Sequence, residues 1–134
     1  MPEPLSDIAI ELLRKPNPAV IACVRPDGQP VTVATWYLLD GERVVVSMDA
    51  GRKRLDYLRA DPRVTVTVLD VDGWQTHVTV QGRVVELRDD DGLVEIDRIA
   101  HHYTGQAYFN RERPRVTAWI ELDAWHGWGR ARQP

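Results

Sequence analysis

Cysteine and phenylalanine are almost missing from this chain: Cys23 and Phe109 are the only ones. A single cysteine excludes an intrachain disulfide and a thiolate zinc cluster. Cys23 lies in the apolar run Ala19-Val20-Ile21-Ala22-Cys23-Val24, which marks it as a small buried hydrophobe rather than a nucleophile. No apolar run approaches the roughly 18 residues of a membrane span. Met1-Pro2-Glu3-Pro4 lacks the charged start of a signal peptide, so a cytoplasmic protein is expected. Charge of neither sign dominates: 17 Lys and Arg stand against 20 Asp and Glu, a net charge of −3. That leaves no global basic field for nucleic acid, and any anion site must be local.

The common catalytic signatures are missing as well. There is no Gly-x-Ser-x-Gly elbow, no Walker loop and no Gly-x-Gly-x-x-Gly. Gly127-Trp128-Gly129 follows a strand and precedes no helix, so it is not a phosphate loop. His101 and His102 are adjacent and point to different helix faces, while His77 and His126 stand alone. No metal site is therefore expected. An enzyme with this inventory takes its hard chemistry from a bound cofactor.

What the chain does have is tryptophan, five of them: Trp36, Trp74, Trp119, Trp125 and Trp128. Large rings with one polar handle suit ligand sites and subunit interfaces; at least two are expected to cap a core instead.

With 134 residues and no shift of composition, one domain over 1–134 is expected. Leu5, Ile8, Ala9, Leu12 and Leu13 have helical spacing over 5–14, and Pro16 stops the run. Strands are expected over 18–25, 30–39 and 42–48, separated by the turn signals Pro26-Asp27-Gly28 and Asp40-Gly41, as a three-stranded antiparallel meander. A short helix over 55–60 ends at Asp61-Pro62. Strands follow over 64–68, with period two, and over 77–87, where Gly82 signals a bulge. An amphipathic helix fills 90–104 with Gly105 as its cap residue, then come a polar connection over 106–113 and a last strand over 115–123. On that strand Val116, Ala118, Ile120 and Leu122 share one face. Six antiparallel strands suffice to close a small barrel. The hairpin turns are too short for the crossovers of a parallel sheet.

Arg52-Lys53-Arg54 sits where the third strand turns into the short helix. Cations at a helix N-terminus oppose the macrodipole, whereas free backbone N–H groups there favour an anion. A phosphate would reconcile the two. A solvated charge run explains the triplet equally well.

Taken in order, Asp27-Gly28-x-Pro30, Trp36-Tyr37, the basic triplet before Asp61-Pro62-Arg63-Val64, Asp72-Gly73-Trp74, Val80-Gln81-Gly82-Arg83-Val84, Ile99-Ala100-His101-His102-Tyr103-Thr104-Gly105 and Gly127-Trp128-Gly129 cover nearly the whole chain. The set resembles the pyridoxamine-5′-phosphate-oxidase-like split β-barrel superfamily, and within it the small actinobacterial branch of F420-dependent enzymes. The resemblance implies a mainly β, six-stranded, FMN-binding-like split barrel with flanking helices. It also implies a homodimer with two sites at the interface. It implies an oxidoreductase that moves a hydride between the deazaflavin coenzyme F420 and a small electron-poor molecule. The alternatives are an FMN-dependent oxidoreductase or a non-catalytic flavin-, deazaflavin- or haem-binding protein.

By position, the resemblance implies that Arg52, Lys53 and Arg54 hold the cofactor phosphate. Ser47 and Met48 would line the phosphate and ribityl chain, and the backbone of Val33, Ala34, Thr35 and Trp36 would flank the ring. Trp74, Gln75 and Trp128 of a second subunit would cover it. Asp56-Tyr57-Leu58 stands where relatives often have Arg-Asn-Leu, and the acid weakens the local positive field. Arg59, Arg63 and Arg83 are candidates to extend a basic rim for an anionic tail. His77, His102 and Tyr103 are candidate proton donors. The substrate loops of the pyridoxamine-phosphate oxidases are not evident, so no substrate is carried over.

Overall fold

A computed structural model describes residues 3–133. Helix α1 (Asp7–Leu13) starts at Ser6, whose hydroxyl accepts from the Ala9 N–H at 3.2 Å. Then come β1 (Ala19–Val24), β2 (Pro30–Thr35), β3 (Leu38–Asp40), β4 (Arg43–Asp49), α2 (Lys53–Ala60), β5 (Arg63–Leu69), β6 (His77–Asp89), α3 (Val94–Thr104) and β7 (Arg115–Trp128). All ladders are antiparallel, in the order β2-β1-β5-β6-β7-β4-β3.

The sheet therefore has seven strands rather than six, and the expected meander does not form. The run 30–39 breaks at Trp36-Tyr37. Its first half pairs with β1, and its second half pairs with β4 at the opposite edge of the sheet. The two edge strands, β2 and β3, are thus joined by two residues, and no ladder links them. That gap is the split of the barrel. The two residues at the break serve different sides of the sheet. Neighbours on an extended chain face opposite ways. Tyr37 turns inward, fully buried, with its hydroxyl donating to the Lys15 carbonyl at 3.1 Å. Trp36 turns outward and stays 36% exposed.

Val44, Val46, Val66, Val68, Val78, Val80, Ala118 and Ile120 build the main core, each almost completely buried. The alternation expected on the last strand holds for Val116, Ala118 and Ile120, but Thr117 and Trp119 are buried too. α3 lies over that second face, where Ile96 and Ile99 pack on Val45 and Trp119. Trp119 and Trp125 are the two tryptophans that serve the core, both 6% exposed. Gly82 marks a bulge, as its sequence suggests: the β6–β7 register slips between Gln81 and Gly82. Gly105 closes α3 at φ 76°, a left-handed conformation that glycine adopts without steric cost. No helix among the described residues is long and apolar enough to cross a membrane.

Candidate functional site

The break at Trp36-Tyr37 opens a cleft of about 910 Å³. β2, the end of β4, the start of α2, α3 and the connection after α3 all contribute to it. Buried Asn17 ties α3 to the scaffold next to it. Its Nδ2 donates to the Leu12 carbonyl at 2.8 Å, and its Oδ1 accepts from the Val71 N–H at 3.1 Å. Its own carbonyl accepts from the Tyr103 hydroxyl at 2.7 Å. One residue, through its side chain and its main-chain carbonyl, thus joins the end of α1, the β5–β6 turn and α3 beside the cleft.

The structure brings eight of the residues expected to bind cofactor to this cleft, Val33, Ala34, Thr35, Trp36, Ser47, Met48, Arg52 and Arg54, together with the candidate proton donor Tyr103. Lys53 is exposed beside them and does not line it. Trp74, Gln75 and Trp128 lie away from their own chain's cleft. Trp74 and Trp128 are 65% and 56% exposed, with His77 stacked on Trp128 at 6.4 Å and hydrogen-bonded to the Trp74 carbonyl at 3.0 Å.

Arg54 is the unusual cation. It is half-buried and has no hydrogen bond or ion pair among the described residues. Desolvation, and then the nearby Arg52 charge, push its guanidinium below the usual arginine range. Burying a charge without a partner is costly. Arg52 and Lys53 likewise have no acidic partner among the described residues, whereas most other cations here do. The helix behind them differs from its neighbours too. Ser6 caps α1, and Asp90 accepts from the Glu95 and Ile96 N–H groups ahead of α3. α2 begins at Arg52 with no side-chain cap. The Leu55 N–H donates to the Arg52 carbonyl at 3.1 Å, which leaves the Lys53 and Arg54 N–H groups as the donors at this start.

Arg59, Arg63 and Arg83 do not extend this basic rim. Arg59 pairs with Asp56 at 3.6 Å, Arg63 with Asp61 at 2.7 Å, and Arg83 with Glu121 and Asp123. None lines the cleft. The charge of Asp56 is directed to Arg59 rather than to the triplet.

Three further residues of the cleft escape sequence reading: Tyr108, Arg113 and Arg115. Tyr108 comes from the supposed polar connection, which folds back because Asp97 of α3 accepts from the Tyr108 N–H at 2.9 Å and pairs with Arg111. Those two contacts hold the Asp97 carboxyl below the usual carboxylate range, Arg111 contributing most. Arg113 reaches Asp49 at 3.1 Å. Aromatic rings make one wall: Trp36 stacks on Tyr103 at 5.1 Å and meets Tyr108 edge-on at 6.4 Å.

None of the three candidate proton donors presents a free proton here. The Tyr103 hydroxyl is committed to Asn17, and burial pushes it up to about 12. His77 and His102 do not line the cleft. Among the described residues no three His, Cys, Asp or Glu side chains gather as a metal site. Cys23 is buried, and burial raises its thiol.

The fold has relatives. An F420 reductase superposes with a TM-score of 0.84 at 25% identity, over 90% of this chain and 98% of that one. A conserved hypothetical protein of Mycobacterium tuberculosis follows at 0.74 and 24%, over 93% and 85%. General Stress Protein 26 of Bacillus anthracis superposes at 0.69 and 17%, over 90% of each chain. The last two share the fold alone. No curated protein matches the sequence. The profile of one family, pyridoxamine 5′-phosphate oxidase, matches residues 6–129, almost the whole of the described structure. On that match and this split sheet, the chain belongs to the pyridoxamine 5′-phosphate oxidase family.

Proposed function

We propose that this protein is an oxidoreductase whose cleft holds a flavin-type cofactor, coenzyme F420 in preference to FMN, by its phosphate. One observation carries the reading. Arg54 places in the cleft a half-buried guanidinium that has no partner among the described residues, beside Arg52 and a helix start without a side-chain cap. A phosphate there relieves the repulsion between the arginines, compensates the desolvation of Arg54 and accepts from the first N–H groups of α2. The match to an F420 reductase over nearly both chains supports the choice of cofactor.

The chain's own share of the work is positional. Arg52 and Arg54 anchor the phosphate, with Lys53 adding charge from outside the cleft. Trp36, Tyr103 and Tyr108 wall off the ring and exclude water. β2, an edge strand, offers backbone groups that no neighbouring strand satisfies. When bound, coenzyme F420 supplies a carbon that carries and releases a hydride. The substrate is then a small electron-poor molecule admitted beside the ring.

A second copy of the chain completes the site in this reading, with Trp74, Gln75 and Trp128 of each subunit covering the other's cleft. Their exposure on one chain is the reason. Sedimentation at micromolar protein giving only a 15 kDa species would remove that part. The commitment of the Tyr103 proton favours one rival, a cofactor carrier without catalysis.

Fluorescence titration with F420 and FMN in parallel tests the assignment. F420 is expected to bind more tightly, and reduced F420 to be oxidised on adding electron-poor acceptors. Tighter FMN binding makes this a flavin user. Binding without turnover makes it a carrier, and binding of neither rejects the site.

A further inference from the structure

The β4–β7 register sets Asp49 opposite Arg115 and Ser47 opposite Thr117. Charge alone would pair Arg115 with Asp49. Instead the Asp49 carboxylate accepts from the Gly51 N–H at 2.9 Å and from Arg113 at 3.1 Å. Arg115 turns to two hydroxyls. Its Nε donates to Ser47 Oγ at 3.0 Å, and its Nη1 donates to the Tyr108 hydroxyl at 3.2 Å. Its guanidinium also lies 4.7 Å from the centre of the Tyr108 ring.

The chemistry of these donors fixes a direction. A guanidinium has five N–H donors and no acceptor. Both hydroxyl oxygens must therefore accept from Arg115, and the single proton of each is left to point elsewhere. Thr117, across from Ser47, is buried with no hydrogen bond to its own hydroxyl, so it takes no proton from Ser47. Ser47, Tyr108 and Arg115 all line the cleft. A hydroxyl that already accepts from a cation is also a stronger donor.

We infer that Arg115 is a positioning residue that turns the Ser47 and Tyr108 hydroxyl protons away from itself and into the cleft, so that both hydroxyls donate to a phosphoryl oxyanion held there. This rests on the phosphate reading of the cleft above and adds the residue that sets the polarity of its neutral wall. Arg52 and Arg54 supply charge; Arg115 supplies direction through two other side chains.

Calorimetric titration with FMN, riboflavin and inorganic pyrophosphate tests it, on wild type and on Ser47→Ala, Arg115→Met, Arg115→Lys and Ser47→Ala/Arg115→Met. Ser47→Ala is expected to weaken FMN about tenfold in the wild type, the scale of a hydrogen bond to a charged group. In the Arg115→Met background the same change should cost about twofold or less, because the serine proton is no longer directed. Arg115→Lys, also a pure donor, should keep most of the Ser47 effect. Riboflavin, which has no phosphate, should change little in every variant. Additive effects of the two substitutions would overturn the inference. So would an Arg115→Lys variant that behaves as Arg115→Met, or riboflavin weakened as much as FMN. Should Arg115→Met fail to fold, Arg115→Lys with and without Ser47→Ala decides the matter. Pyrophosphate separates the two readings. If the flavins do not bind but pyrophosphate shows the same coupling, the cofactor reading fails and this one stands. If none of the three binds, this inference fails as well.

Discussion

The rings of Trp36 and Tyr103 lie face to face, 5.1 Å between centroids and 10° between planes, while the Tyr103 hydroxyl reaches past the stack to the Asn17 carbonyl. The ring of Tyr103 therefore serves the cleft and its hydroxyl serves the scaffold. The Tyr37 N–H also donates to that hydroxyl, at 3.4 Å.

Tyr103→Phe should keep the aromatic wall and lose the tie. Leaving the Asn17 carbonyl without its donor should destabilise the protein by roughly 1–3 kcal/mol. Burial raises the Tyr103 hydroxyl from 10.0 to about 12. The folded value is above the unfolded one, so this stabilisation is complete below about pH 10 and is lost as pH rises toward about 12. A phenolate absorbance titration of wild type minus Tyr103→Phe should show one transition near 12. A transition near 10 would mean that the hydroxyl is not held.

Arg54→Ala should weaken binding of F420 or FMN about ten- to a hundredfold, from the roughly 1.5–3 kcal/mol of a charge-assisted contact. The fold should survive, since this guanidinium has no partner among the described residues to lose. Circular dichroism and thermal unfolding check the second part. If Arg52→Ala and Arg54→Ala both bind cofactor as wild type does, the triplet is a solvated face.

Gly82→Ala should be strongly destabilising. A β-carbon at Gly82 would collide with the Glu121 carbonyl oxygen of the adjacent strand, and backbone cannot move aside as a flexible side chain can. Overpacking of this kind costs roughly 1–3 kcal/mol or more. Gly73→Ala is the contrast. The nearest atom to its added carbon is the flexible Gln75 Oε1 at 3.6 Å, and its φ is not positive. Chemical denaturation of both variants should separate them clearly; equal midpoints would remove the argument from close strand approach.

Asp61 gives a prediction in acid. Hydrogen bonds from the Arg63 side chain, and then from the Arg63 N–H, lower its carboxyl from 3.8 to about 2. The folded value is below the unfolded one, so the contribution is complete above about pH 4 and is lost as pH falls toward about 2. Denaturation midpoints measured across that interval should fall less steeply for Asp61→Asn than for wild type. Parallel curves would show that the pair in front of β5 is not coupled to folding.

Much of this architecture is determined locally. Period-two alternation in Arg63–Leu69, the glycine at the β6 bulge, the left-handed Gly105 and the acidic residues before α3 are decided within a few residues, by sterics and short-range hydrogen bonds. The sequence alone therefore determined the mainly antiparallel class, the element order apart from the division of the run 30–39 into two strands, and the basic triplet at the β4–α2 junction. The Asp56–Arg59 and Asp61–Arg63 pairs, only three and two residues apart, were within reach of the same reading, and they show why those arginines are not free.

Only the tertiary structure decided the rest. Nothing between Pro30 and Leu39 forbids a continuous strand; the break at Trp36-Tyr37 exists because β1 and β4, at different places in the sheet, each claim one half. Arg83 is neutralised by Glu121 and Asp123 through the β6–β7 register, about forty residues away in sequence. Tyr108 reaches the cleft because Asp97 draws the connection back, and Arg115 meets Ser47 only once β4 and β7 are paired. Local sterics fix where strands and helices lie along the chain, but which side chains share a cleft depends on pairings between distant segments.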